Sequence, residues 1–84
     1  MTDYKLSEGA QAIVRFLQEN DSDGDNMFTF RDIANGIGRQ PRSVSATITS
    51  LVKKGIAVRA VVGENKYIHL TEDGLSIDFE NQEG

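Results

Sequence analysis

The residues predict an α+β domain built from three helices and a small antiparallel β-hairpin. Apolar residues recur at helical spacing in three successive segments, around 7–19, 29–38 and 41–54, and turn formers separate them. From Ile56 the apolar period changes to two, breaks at Gly63-Glu64-Asn65 and resumes over Lys66 to Leu70, as a hairpin requires. A chain of 84 residues has room for one small core. We read it as a domain over 7–77, an N-terminal arm over 1–6 and a flexible acidic tail over 78–84.

Each element has local grounds. In the first helix Ala10, Ile13, Val14 and Leu17 share one face, Phe16 widens it, and Ser7 stands at the N-cap. The run Asn20-Asp21-Ser22-Asp23-Gly24-Asp25-Asn26 consists of turn formers and ends the helix. Met27-Phe28 is expected to form a very short strand. Thr29 to Asp32 fits a capping box, with Asp in place of the preferred Glu, so the return bond is expected to reach less well. Phe30, Ile33, Ala34 and Ile37 line one face of the second helix, and Gly38 suits a left-handed C-terminal position.

Pro41 suits the first turn of the third helix, because its missing N–H has no helical partner to lose there. Gln40 before it is a weak N-cap. Val44, Ile48, Leu51 and Val52 form the apolar stripe, Lys53 and Lys54 favour the negative end of the helix dipole, and Gly55 stops it. Ser43, Thr47, Thr49 and Ser50 are mediocre helix formers, which hints that this surface serves a function. In the hairpin, Ile56, Val58, Ala60 and Val62 fall on one side. Thr71-Glu72-Asp73-Gly74 can cap a short turn that returns Leu75 and Ile77 to the core. Helix, turn, helix and hairpin is the layout of a winged helix-turn-helix.

Charge is segregated along the chain. The total is −4, yet residues 31–62 carry Arg31, Arg39, Arg42, Lys53, Lys54 and Arg59 against Asp32 alone, a net +5. Residues 1–30 sum to −4 and residues 63–84 to −5. A basic stretch over the second and third helices is the electrostatic footprint of a nucleic-acid partner, one that the acidic total conceals.

Other chemistry is sparse. With no cysteine and one histidine, disulfides, cysteine-ligated zinc and His-rich metal clusters are excluded. No apolar run is long enough to span a bilayer, and the polar N-terminus lacks the core of a signal peptide, so a cytoplasmic protein is expected. His69 has no nucleophile or paired acid in sequence reach, and neither phosphate loops nor nucleophile elbows occur. We therefore expect no enzyme, no metal site and no cofactor.

LVKKGIAVR, running from the third helix into the wing, and LTEDG, closing it, resemble the winged-helix domains of MarR-type and related prokaryotic transcription regulators. The likeness covers about residues 7–75 and lacks those proteins' dimerisation helices. It implies sequence-specific binding to double-stranded DNA, with the helix over about 41–54 in the major groove and the wing on the backbone. The groove-facing set carried over is Gln40, Arg42, Ser43, Ala46, Thr47 and Ser50. Arg42 suits a bidentate contact to guanine, Gln40 to adenine and Thr47 to a thymine methyl. Arg39, Lys53 and Lys54 would meet phosphates, and Arg59, Lys66 and Asn65 are the wing candidates. Ala46 stands where these families often carry a longer side chain, and Glu64 puts an acid at the wing tip. A homodimer or protein partner is compatible with the same surface.

Two alternatives remain. One is a non-enzymatic adaptor that uses the winged-helix surface against a protein. The other is calcium binding: residues 21–32 match a twelve-residue EF-hand loop, with Asp21, Asp23 and Asp25 at positions one, three and five and Asp32 at twelve. Asn26 replaces the turn glycine there, Asp32 replaces the bidentate glutamate, and no second loop pairs with it.

Overall fold

The computed structural model describes residues 6–21 and 26–77. Of the expected arm only Leu6 is described. The expected tail over 78–84 and the middle of the candidate calcium loop, 22–25, lie outside the described residues. The element order is α1 (Glu8–Asn20), α2 (Phe30–Ile37), α3 (Pro41–Lys53), β1 (Ala57–Val62), β2 (Asn65–Leu70) and α4 (Glu72–Ser76). The fold is α+β, with the expected three helices, the hairpin, and the C-terminal turn realised as a fourth short helix.

Local chemistry accounts for the helix ends. Ser7 Oγ accepts the Ala10 N–H at the start of α1. At α2 the capping box closes fully: Thr29 Oγ1 accepts the Asp32 N–H at 3.2 Å, and Asp32 Oδ2 accepts the Thr29 N–H at 3.1 Å. The shorter acid reaches after all. Gly38 caps α2 at φ 68°, a left-handed conformation open to glycine at little cost. Gln40 gives α3 no side-chain cap, and Pro41 begins it.

The core lies where the three long helices meet the base of the hairpin. Ile13, Val14 and Leu17 of α1, Ile33 of α2, Val44, Ile48 and Leu51 of α3, and Ile56 and Ile68 are all buried. Burying each such side chain stabilises the fold by about 1.5–3 kcal/mol. Phe16 packs edge-on against Phe28, with ring centroids 5.1 Å apart.

Two expectations need correction, the Met27-Phe28 strand and the return of Leu75 to the core, and the structure also decides which side of the wing is buried. Met27 and Phe28 form no strand: Phe28 O accepts a single bond from Ile68 N–H at 2.8 Å, and Met27 is exposed. One bond beside the sheet does not make a ladder. The side of the wing carrying Val58, Ala60 and Val62 is largely solvent-facing, with Val58 and Val62 exposed. The antiparallel register sets Ala57 opposite Leu70 and Arg59 opposite Ile68, and it is Ala57, Ile68 and Leu70 that are buried. Ile56 reaches the core from just before the strand. Ile77 returns to the core as expected, but Leu75 is exposed on α4.

The wing turn is tighter than the sequence indicates, since Asn65 already pairs with Val62 in the ladder. Gly63 has φ 64°, and among the described residues no non-glycine has positive φ. A two-residue loop with positive φ only at its first position is the pattern of a type II′ turn, whose twist matches the flanking strands.

Candidate nucleic-acid interface

The surface is built on α3. Its buried stripe, Val44, Ile48 and Leu51, turns the opposite side of the helix outward. At 100° per residue, Arg42, Ala46, Thr49 and Lys53 follow one another along that outward ridge. Arg42, Ala46 and Lys53 are exposed, as are Arg39, Gln40, Ser43, Ser50 and Lys54, whereas Thr47 and Thr49 are half-buried.

The hydroxyl-rich composition has a local explanation. Thr47 Oγ1 donates to Ser43 O at 2.9 Å and Thr49 Oγ1 donates to Ser45 O at 3.1 Å. These bonds back to the preceding turn satisfy the hydroxyls within the helix. Thr47 is left with its methyl group and an acceptor oxygen for other contacts.

The ridge divides the candidates into two flanks. On one flank α3 approaches the start of α1: a methyl group placed on Gly9 would lie 3.7 Å from Arg39 Nη1 and 3.9 Å from Thr47 Oγ1. Ser7, Ala46, Thr47, Ser50 and Lys54 line a shallow depression there. On the other flank Arg59 of β1 donates from Nη2 to Thr49 Oγ1 at 2.7 Å, which ties the wing to α3. Beyond that bond a groove of about 530 Å³ runs between α3, the wing and the first turn of α2, with Lys66 and Asn65 on its wall. Arg39 and Lys66 thus fall on opposite flanks, while Arg42 and Lys53 sit on the ridge.

No ion pair with a described carboxylate neutralises Arg31, Arg39, Arg42, Lys53, Lys54, Arg59 or Lys66. The first turn of α3 carries no acid, so the positive end of its dipole adds to the basic residues around it. Sequence reasoning missed Thr49 and Ser45, which face the wing, and Arg31, which lines the groove. The position of Thr49, seven residues after Arg42, already placed it on the outward face. No local pattern links Arg31 to the wing.

The ends of the candidate calcium loop are committed elsewhere. Asp21 is buried; its Oδ1 accepts the Asn26 N–H at 2.9 Å and its Oδ2 accepts His69 Nδ1–H at 2.9 Å. Asp32 is held in the α2 capping box. His69 therefore acts as a structural partner joining β2 to the end of α1.

No family model and no curated protein matches the sequence. Solved structures do. MepR, a transcription regulator of the Staphylococcus aureus multidrug efflux pump MepA, is 25% identical with a TM-score of 0.73, over 84% of this chain and 51% of that one. The MepR–DNA complex matches with a TM-score of 0.72 at 24% identity, over 83% of this chain and 50% of that one. A mutant of Lactococcus lactis ZitR matches with a TM-score of 0.74 at 19% identity, over 89% of this chain and 49% of that one. AF1382 from Archaeoglobus fulgidus matches at 0.71 and 23%, over 83% of this chain and 76% of that one. The chain spans about half the length of MepR and ZitR. Its fold, by element order and by these superpositions, is a winged helix-turn-helix like that of these solved structures.

Proposed function

We propose that the chain binds double-stranded DNA in a sequence-specific manner, as a small non-enzymatic transcription-regulator-like protein of the cytoplasm. The observation that carries this reading is the outward ridge of α3, on which Arg42, Ala46 and Lys53 are exposed and no described ion pair occurs. A helix of 13 residues, about 20 Å long, fits the major groove of B-DNA. The MepR–DNA complex, which shares the fold, supports the same partner.

In this reading Arg42 pairs with guanine and Gln40 with adenine. Thr47 offers its methyl to thymine, since its hydroxyl already serves Ser43. Ser43, Ala46 and Ser50 allow close approach, and Arg39, Lys53 and Lys54 meet phosphates on either side. Arg59 and Lys66 place the wing on the backbone. One domain reads a short half-site, so a homodimer on a two-fold site would bind more tightly.

A salt-titrated binding assay on duplexes selected from random sequence tests this. Affinity should fall linearly with salt on a log–log scale. Arg42→Ala should cost about 1–3 kcal/mol and relax preference at one base pair, whereas Lys53→Ala should weaken every duplex alike. Absence of binding to any duplex at low salt would refute the proposal. It would favour the adaptor reading, for which the apolar wing tip, with Val61 and Val62 exposed, is the best support.

A further inference from the structure

The groove between the first turn of α2 and the wing brings Arg31 and Glu64, to which the helix-turn-helix reading gives no role, beside the wing cations. Its rim carries three cations from three separate elements: Arg31 of α2, Arg59 of β1 and Lys66 of β2. All three are exposed, and none pairs with a described carboxylate. The guanidinium of Arg31 lies 5.6 Å from the centroid of the Phe30 ring, a cation–π contact that holds its side chain over α2. Arg59 is held from the other side by Thr49. Both arginines thus have a contact within the chain that favours one placement of the side chain, which lowers the freedom lost on binding.

One acid, Glu64, stands among them at the wing turn. Ser45 and Ile48 of α3 form part of the same wall, so the groove is continuous with the reader helix.

We propose that this groove seats the sugar-phosphate backbone of the DNA strand flanking α3, with Arg31 as a further phosphate-binding residue and Glu64 as a built-in limit on affinity. The proposal rests on the DNA reading above. Charge complementarity selects the occupant: three cations against one carboxylate, in an open channel beside the helix that faces the bases. A backbone passing there meets α2, α3 and the wing together, which couples the wing's position to the register of α3. Arg31 then contributes affinity that is independent of sequence.

The test uses the full chain and labelled duplexes of several sequences, with affinity measured across a salt series. Arg31→Gln should weaken binding to every duplex by the same factor and lower the log–log salt slope by about 1, and Arg31→Lys should restore that slope. Glu64→Gln should tighten binding without altering the ranking of sequences. The proposal is overturned if Arg31→Gln keeps the wild-type affinity and slope while Arg42→Ala still weakens binding. If the wild-type chain binds no duplex at low salt, the DNA reading itself fails, and this assignment with it.

Discussion

Asp21 ends α1 with both carboxylate oxygens occupied, one by the Asn26 amide and one by the His69 ring. Its residue is only 2% exposed. A buried carboxylate oxygen that loses its donor costs about 1–3 kcal/mol, because the desolvation penalty stays while the bond is gone. His69→Ala should therefore lower the unfolding free energy by about 1–3 kcal/mol, read as a lower urea midpoint at unchanged slope. An unchanged midpoint would show that water reaches Asp21 and replaces the imidazole. The same bonds bear on calcium. An ion at the loop would have to displace His69 from Asp21 and Asp32 from the α2 cap, so millimolar calcium should leave the amide resonances of both aspartates in place. The capping box was legible from Thr29 and Asp32, three residues apart. The Asp21–His69 bond was not, since 48 residues separate its partners.

At the scale of elements, α4 shows how a short helix is held by its surroundings. Five residues cannot sustain a helix by propensity alone. Thr71 anchors its start to the chain entering the wing: the amide donates to Ile56 O at 2.9 Å and the hydroxyl to Gly55 O at 2.6 Å. Gln18 of α1 donates to Gly74 O at 3.0 Å and Ile77 O at 2.9 Å. Gly74 lies so close to this support that an added Cβ would sit 2.3 Å from Ile56 O. A backbone oxygen cannot swing aside, so Gly74→Ala should destabilise the protein by about 1–3 kcal/mol, despite the better helix propensity of alanine. A thermal unfolding midpoint equal to wild type would refute that docking. From the sequence Gly74 read as part of a cap, with nothing to mark it as a packing contact. In α3, by contrast, the buried stripe was readable in full, because helical periodicity alone separates Val44, Ile48 and Leu51 from Arg42 and Lys53.

For the whole molecule, a net charge of −4 coexists with a basic surface that has no ion pair among the described residues. Total charge then predicts binding poorly, because exposed charges farther apart than about 8–10 Å are screened at physiological salt. Glu72, exposed on α4, and Lys54, exposed at the end of α3, provide the comparison. Each changes the net charge by one when made neutral. Glu72→Gln should leave duplex affinity nearly unchanged at physiological salt, and Lys54→Gln should lower it. Equal and opposite effects would show that the overall field governs association instead of the local surface. The sequence by itself determined the three long helices, their caps, the hairpin and the basic middle, because all of these depend on residues a few positions apart. Only the tertiary structure decided which side of the wing faces the core, where Leu75 points, and that Arg31 shares a groove with Arg59 and Lys66. Those outcomes depend on contacts across the fold, where a side chain's surroundings are set by elements distant in the chain.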